Sequence, residues 1–271
     1  MIEDVAFRTI EISEPAFEQE GLRLATVRSP ALGRRADVSL WVPEAEHIGT
    51  LLLLLHGVYG SHWVWSQKAG VHRIARDMLL RGEIGPVVIA MPSDGLIRDG
   101  SAYLTWPGAE DVERWIVEEV PAIARIAAPA LAPDAKIAIA GLSMGGYGAL
   151  RLGAKYGRRF SAISAHSGIT DIREMEYFVR DPIDDYLTCA PTAELSPLHW
   201  IETHRETLAP LRFDCGTEDN LIAGNRGFHE ALRLTNIPHE YTESPGGHEW
   251  PYWQVQVSET LRFVDRICCR K

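Results

Sequence analysis

Residues 50–56 read Thr-Leu-Leu-Leu-Leu-Leu-His, an apolar run with no polar residue in alternate places. Successive side chains of a strand point to opposite faces, so five consecutive leucines require both faces to be covered. The run has the length of a strand and is far too short to span a bilayer. Comparable short runs recur at 36–42, 86–92, 136–141, 160–166, 211–216 and 239–244. Helical patterns lie between them, near 67–81, 110–127, 145–156, 224–235 and 250–267. The second carries a stripe of Val112, Trp115, Ile116, Val120 and Ile123, and Pro121 predicts a kink or a boundary within it. Such alternation predicts an α/β fold, with a mainly parallel central sheet and helices on both faces.

A chain of 271 residues suits one domain of this class, spanning 1–271. Two stretches break the pattern, 92–109 and 168–198, and are expected to be loop insertions. Insertions of that length act as lids or are plain surface excursions. A hydrophobic share of 46% with 24% charged residues supports a large core without staples. The net charge of −10, with Lys and Arg scattered, argues against nucleic acid and anionic membrane surfaces as partners. Cys189, Cys215, Cys268 and Cys269 have neither disulfide-framework nor metal spacing, which points to reduced thiols. The N-terminal stretch MIEDVAFRTIEISEP has acids where a secretion signal has bases, so a soluble, cytoplasmic protein is expected.

Gly141-Leu142-Ser143-Met144-Gly145 joins the run at 136–141 to a helical segment, and this context gives G-x-S-x-G its force. A serine set on a sharp strand-to-helix reversal exposes its hydroxyl beside free N–H groups at a helix N-terminus. The glycines two residues either side leave room for that reversal. A structural turn is the alternative, and downstream partners decide between the two. A hydroxyl needs a base, and the base needs an orienting acid, in the chain order serine, acid, histidine on such a sheet. Asp219, three residues past Gly216, is the expected acid; Glu218 is its nearest rival, and Asp214, within the strand, is expected to be packed. His248, after Pro245-Gly246-Gly247, is the expected base. His72, His199, His204, His229 and His239 lack such a turn and read as surface or core histidines.

An anionic tetrahedral intermediate needs two converging N–H groups. Met144, after the serine, supplies one, and Val58, past His56-Gly57, is chosen for the other, with Tyr59 as the alternative. His56 reads as a loop-holding residue. Tyr59, Trp63, Trp65 and Trp106 are candidates to line an acyl or alcohol pocket, unless they pack the loops down. His166 and Ser167 end the next strand and would border the site.

Four ordered segments, LLLLHGVYGSHWVW, GLSMGGYGAL, DCGTEDNLI and GGHEWPYW, resemble the esterase D family of α/β-hydrolases, from about residue 36 onward. That family takes in S-formylglutathione hydrolases, tributyrin-type esterases, feruloyl and acetylxylan esterases and antigen 85 mycolyltransferases. The resemblance implies Ser143, Asp219 and His248 as a triad, Val58 and Met144 as the oxyanion hole, and no metal or organic cofactor. It is strongest to tributyrin-type short-chain esterases, which implies a serine carboxylesterase acting on small acyl esters through an acyl-enzyme. Where Tyr147 stands, S-formylglutathione hydrolases usually carry histidine, which also makes Tyr147 a candidate substrate contact. A glutathione thioesterase, a carbohydrate acetyl or feruloyl esterase and an acyltransferase are alternatives on the same triad. A non-catalytic binding protein is the alternative from another class. Relatives often self-associate, so a homo-oligomer is among the expectations.

Overall fold

A computed structural model describes residues 6–108 and 110–269. The first five residues of the acidic N-terminal stretch, Ala109 at the end of the first expected loop, and the last two residues lie outside it. Nine strands among the described residues form one sheet in the order β1-β2-β3-β5-β4-β6-β7-β8-β9. They are β1 (Ile10–Ile12), β2 (Leu22–Arg28), β3 (Arg35–Trp41), β4 (Ile48–Leu55), β5 (Val88–Pro92), β6 (Leu131–Leu142), β7 (Ala162–His166), β8 (Leu211–Gly216) and β9 (Glu240–Ser244). From β5 through β4 to β9 all neighbours pair in parallel, while β1, β2 and β3 add an antiparallel edge.

The leucine run does what its pattern requires. Leu51, Leu53 and Leu55 enter one core, and Leu52 and Leu54 the other, all of them fully buried. Each is worth about 2 kcal/mol relative to an exposed leucine. The helices α1 (Val71–Leu80) and α5 (Trp250–Cys268) cover the Leu52 face. The opposite face is covered by α2 (Val120–Ala127), α3 (Met144–Lys155) and α4 (Ile222–Leu234).

Pro121 sits in the first turn of α2, directly after a π turn at Trp115–Glu119. Proline has no N–H and crowds the carbonyl four residues back, so a widened turn lets the helix restart around it. The 168–198 stretch, expected to be irregular, contains a 3₁₀ helix at Ile172–Tyr177 and short α-helices at Ile183–Thr188 and Thr192–Leu195.

The strand order reverses between β4 and β6: the chain passes from β4 to β5 on one side, then crosses back to β6 on the other. The carboxyl ends of adjacent strands at such a switch point open a crevice. The loop after β4 carries Gly57 and Val58, and the turn after β6 carries Ser143.

Candidate active site

Ser143 has φ 54° and ψ −120°, a conformation costing a non-glycine residue about 1–3 kcal/mol. Its surroundings hold it there. Its N–H donates to the His166 carbonyl at 3.0 Å, and its carbonyl accepts the Tyr147 and Ile169 N–H groups at 3.0 and 3.2 Å. A Cβ on Gly141 would lie 2.3 Å from the Gly145 carbonyl oxygen, and one on Gly145 would lie 2.5 Å from the Leu55 carbonyl oxygen. The two glycines let β6, α3 and the end of β4 meet at van der Waals contact.

The ends of β6, β8 and β9 bring the three expected residues together. His248 Nε2 lies 2.9 Å from Ser143 Oγ, and His248 Nδ1 lies 2.9 and 3.1 Å from the two Asp219 carboxylate oxygens. Asp219 also accepts the Leu221 N–H at 2.8 Å. Burial pushes the Asp219 carboxyl pKa up, but the hydrogen bonds and charge of His248, with the Leu221 N–H and the Ser167 hydroxyl, hold it below the ordinary aspartate value. Glu218 is exposed and does not join this line. His248 is held between two rings. Phe178 stacks on it at 4.6 Å and 24°, and Trp253 meets it edge-on at 5.0 Å. Nothing in the sequence around Phe178 marked it for this place.

The Tyr59 N–H donates to the Asp99 carbonyl at 2.9 Å, whereas the Val58 N–H makes no hydrogen bond among the described residues. Met144 is the first residue of α3, so its N–H has no acceptor within the helix. His56 holds its loop: Nδ1 lies 2.7 Å from the Gly57 carbonyl, so it donates there, and Nε2 accepts the Asp94 N–H at 3.1 Å.

Several aromatics expected to line a pocket are packed away instead. Trp65 is 1% exposed in the core beneath the sheet, where Nε1 donates to the Leu55 carbonyl. Trp106 packs edge-on to Tyr186 and donates to the Ser101 carbonyl, joining the two long loops. Tyr147 is fully buried, and its hydroxyl donates to the Leu195 carbonyl at 2.7 Å. Their side chains satisfy buried backbone carbonyls, a role that spacing cannot distinguish from ligand contact. Tyr59 and Trp63 remain exposed at the surface.

A second His–Asp pair lies deeper. His166 Nδ1 and the Arg212 guanidinium lie 2.8 and 2.9 Å from Asp214 Oδ2, the Tyr252 hydroxyl donates to Oδ1, and His166 Nε2 lies 2.8 Å from the Thr260 hydroxyl. His166 and Asp214 are both fully buried. Burial raises the Asp214 carboxyl pKa, but His166, Arg212 and Tyr252 outweigh it and keep the pKa low. This cluster ties α5 to β7 and β8.

Sheet order and related proteins together define the chain as an ester hydrolase with the α/β-hydrolase fold. It belongs to the esterase family whose model, described as "Putative esterase", matches residues 29–264. An acetyl esterase of Caldicellulosiruptor saccharolyticus is 25% identical over 240 residues, covering 83% of this chain and 86% of that protein. A ferulic acid esterase structure superposes with a TM-score of 0.75 at 25% identity, over 97% of this chain and 100% of the other. An S-formylglutathione hydrolase from Staphylococcus aureus has the same fold, with a TM-score of 0.75 at 20% identity, over 93% and 98% of the two chains. Among the described residues no helix is long and apolar enough to cross a membrane.

Two consequences are measurable. Gly145→Ala should lower the unfolding free energy by roughly 2–3 kcal/mol in urea titration, because backbone carbonyls cannot retreat as side chains do; a change under about 0.5 kcal/mol would show that the elbow has slack. Asp214 and Asp219 have lowered folded-state pKa values, so their stabilisation is complete above the unfolded value of about 3.9 and disappears as pH falls through the folded one. Asp214→Asn should therefore be less stable at pH 7 and lose less stability on acidification than wild type. Parallel stability-versus-pH curves for the two proteins would contradict this.

Proposed function

We propose that the chain is a serine carboxylesterase that hydrolyses short-chain acyl esters, with Ser143, His248 and Asp219 as its catalytic triad. The observation that carries this reading is the unbroken line from Ser143 Oγ through the His248 ring to the Asp219 carboxylate, with 2.9 Å contacts at both ring nitrogens. Asp219, held ionised, accepts a hydrogen bond from the His248 Nδ1–H and so leaves Nε2 as the acceptor facing the hydroxyl. Ser143 Oγ attacks the ester carbonyl as His248 takes its proton. The resulting oxyanion is received by the Met144 and Val58 N–H groups; the engagement of the Tyr59 N–H with Asp99 favours Val58 over Tyr59 for this role. Collapse of the intermediate returns the proton from His248 to the leaving alcohol and leaves an acyl-enzyme. Water, activated by the same imidazole, then releases the acid.

Small acyl groups are favoured by the likeness to an acetyl esterase along most of both chains. Ser143→Ala should reduce kcat for p-nitrophenyl acetate and butyrate by about 10⁴-fold or more, with the far-ultraviolet circular dichroism and melting temperature of the folded protein retained. A well-folded Ser143→Ala protein with more than a tenth of wild-type turnover would overturn the assignment.

A further inference from the structure

The two insertions that interrupt the α/β alternation interlock beside the proposed catalytic residues, and one residue, through its backbone and its carboxylate, makes most of the joint. Asp99, in the loop after β5, receives the Tyr59 N–H on its carbonyl at 2.9 Å and the Tyr59 hydroxyl on Oδ2 at 3.1 Å. The same Oδ2 receives the Arg180 N–H at 2.7 Å, and the Asp99 N–H donates to the Asp181 carboxylate at 2.7 Å. The Tyr59 hydroxyl also lies 3.0 Å from the Phe178 carbonyl. Arg98 supports the joint from the side. Its guanidinium pairs with Asp185 at 2.6 Å and lies over the Trp106 ring, while the Tyr186 hydroxyl donates to the Gly100 carbonyl.

Both ends of this joint lead to the reacting centre. Tyr59 has φ 57° and directly follows Val58, the residue proposed to present the oxyanion N–H. On the other side, Phe178 stacks on the imidazole of His248. Without the joint, the post-β4 loop loses the contacts that hold Tyr59 in the left-handed region, and Phe178 loses its anchor over the base. Displacements near 1 Å in a donor or base are enough to slow catalysis by up to about 10²-fold.

We propose that Asp99 is a positioning residue for ester hydrolysis, clamping the segment that carries Phe178 to the loop that presents the Val58 N–H. It touches no substrate; it sets the oxyanion donor and the face of the base at the same time. The proposal rests on the esterase reading of the site. A stacked ring fixes the plane of the imidazole relative to the Ser143 hydroxyl, so the clamp acts on the chemical step more than on substrate affinity.

Asp99→Ala, Asp99→Asn and Tyr59→Phe, assayed with p-nitrophenyl acetate, test this. Asp99→Ala should lower kcat by about tenfold or more with KM changed by less than about threefold. Asp99→Asn keeps an oxygen for the Tyr59 hydroxyl and the Arg180 N–H, and should recover activity to within about threefold of wild type. Tyr59→Phe loses the hydroxyl's contacts with Asp99 and Phe178 but leaves the Arg180 N–H bonded to Asp99 Oδ2, and should fall between the two; it also tests the clamp should Asp99→Ala fail to fold. Wild-type kcat in both Asp99→Ala and Tyr59→Phe, a loss carried by KM alone, or equal losses in Asp99→Ala and Asp99→Asn would each overturn the proposal. These results differ from turnover that survives Ser143→Ala, which would remove the esterase reading itself.

Discussion

The close approach of three backbones at the turn after β6 is the constraint on which the site depends. Ser143 is held at positive φ only because Gly141 and Gly145 allow β6, α3 and the end of β4 to touch without an intervening Cβ. The conformational cost of about 1–3 kcal/mol is borne by the leucine-rich sheet beneath, whose residues are buried on both faces. That rigidity fixes the hydroxyl at the mouth of the crevice where the strand order reverses. With the serine fixed, the remaining structure has to deliver an imidazole to it.

Delivery comes from the other side of the sheet and relies on a buried charged cluster. His166, Arg212, Asp214, Tyr252 and Thr260 join β7, β8 and α5, and α5 begins two residues after His248. A buried ion pair adds little net stability against an apolar replacement, but breaking one partner is costly, so the arrangement resists small shifts. Trp253, on the first turn of α5, carries that rigidity to the site. Its indole donates to Ser167 Oγ at 3.2 Å and its ring packs edge-on against His248.

The inner parallel strands such as β4 and β5 were legible because they are covered on both faces and leave continuous apolar runs. The hairpin of β1 and β2 was not: Leu24 is half exposed and Arg23 and Arg28 interrupt the strand, so no apolar run marks it. The expected order of serine, acid and histidine located the three residues the fold brings together, since strand ends and glycine turns mark loop positions at the carboxyl edge. The short helices within 168–198 could not be read, because bonds to distant loops, such as Tyr186 to Gly100, hold them rather than a periodic apolar stripe. The same gap explains Trp65, Trp106 and Tyr147. A loop aromatic looks alike in sequence whether it faces a ligand or satisfies a buried carbonyl, and Phe178 carried no pattern that placed it on His248.

The central claim is that Ser143, activated by His248, is the nucleophile. Reaction with a fluorophosphonate followed by peptide mass mapping tests it most directly, since the probe bonds to an activated serine. The account predicts one phosphonyl group per chain, on the peptide carrying Ser143, and its absence when His248 is replaced by glutamine. A phosphonyl group on another residue, or equally rapid labelling of Ser143 without His248, would contradict it.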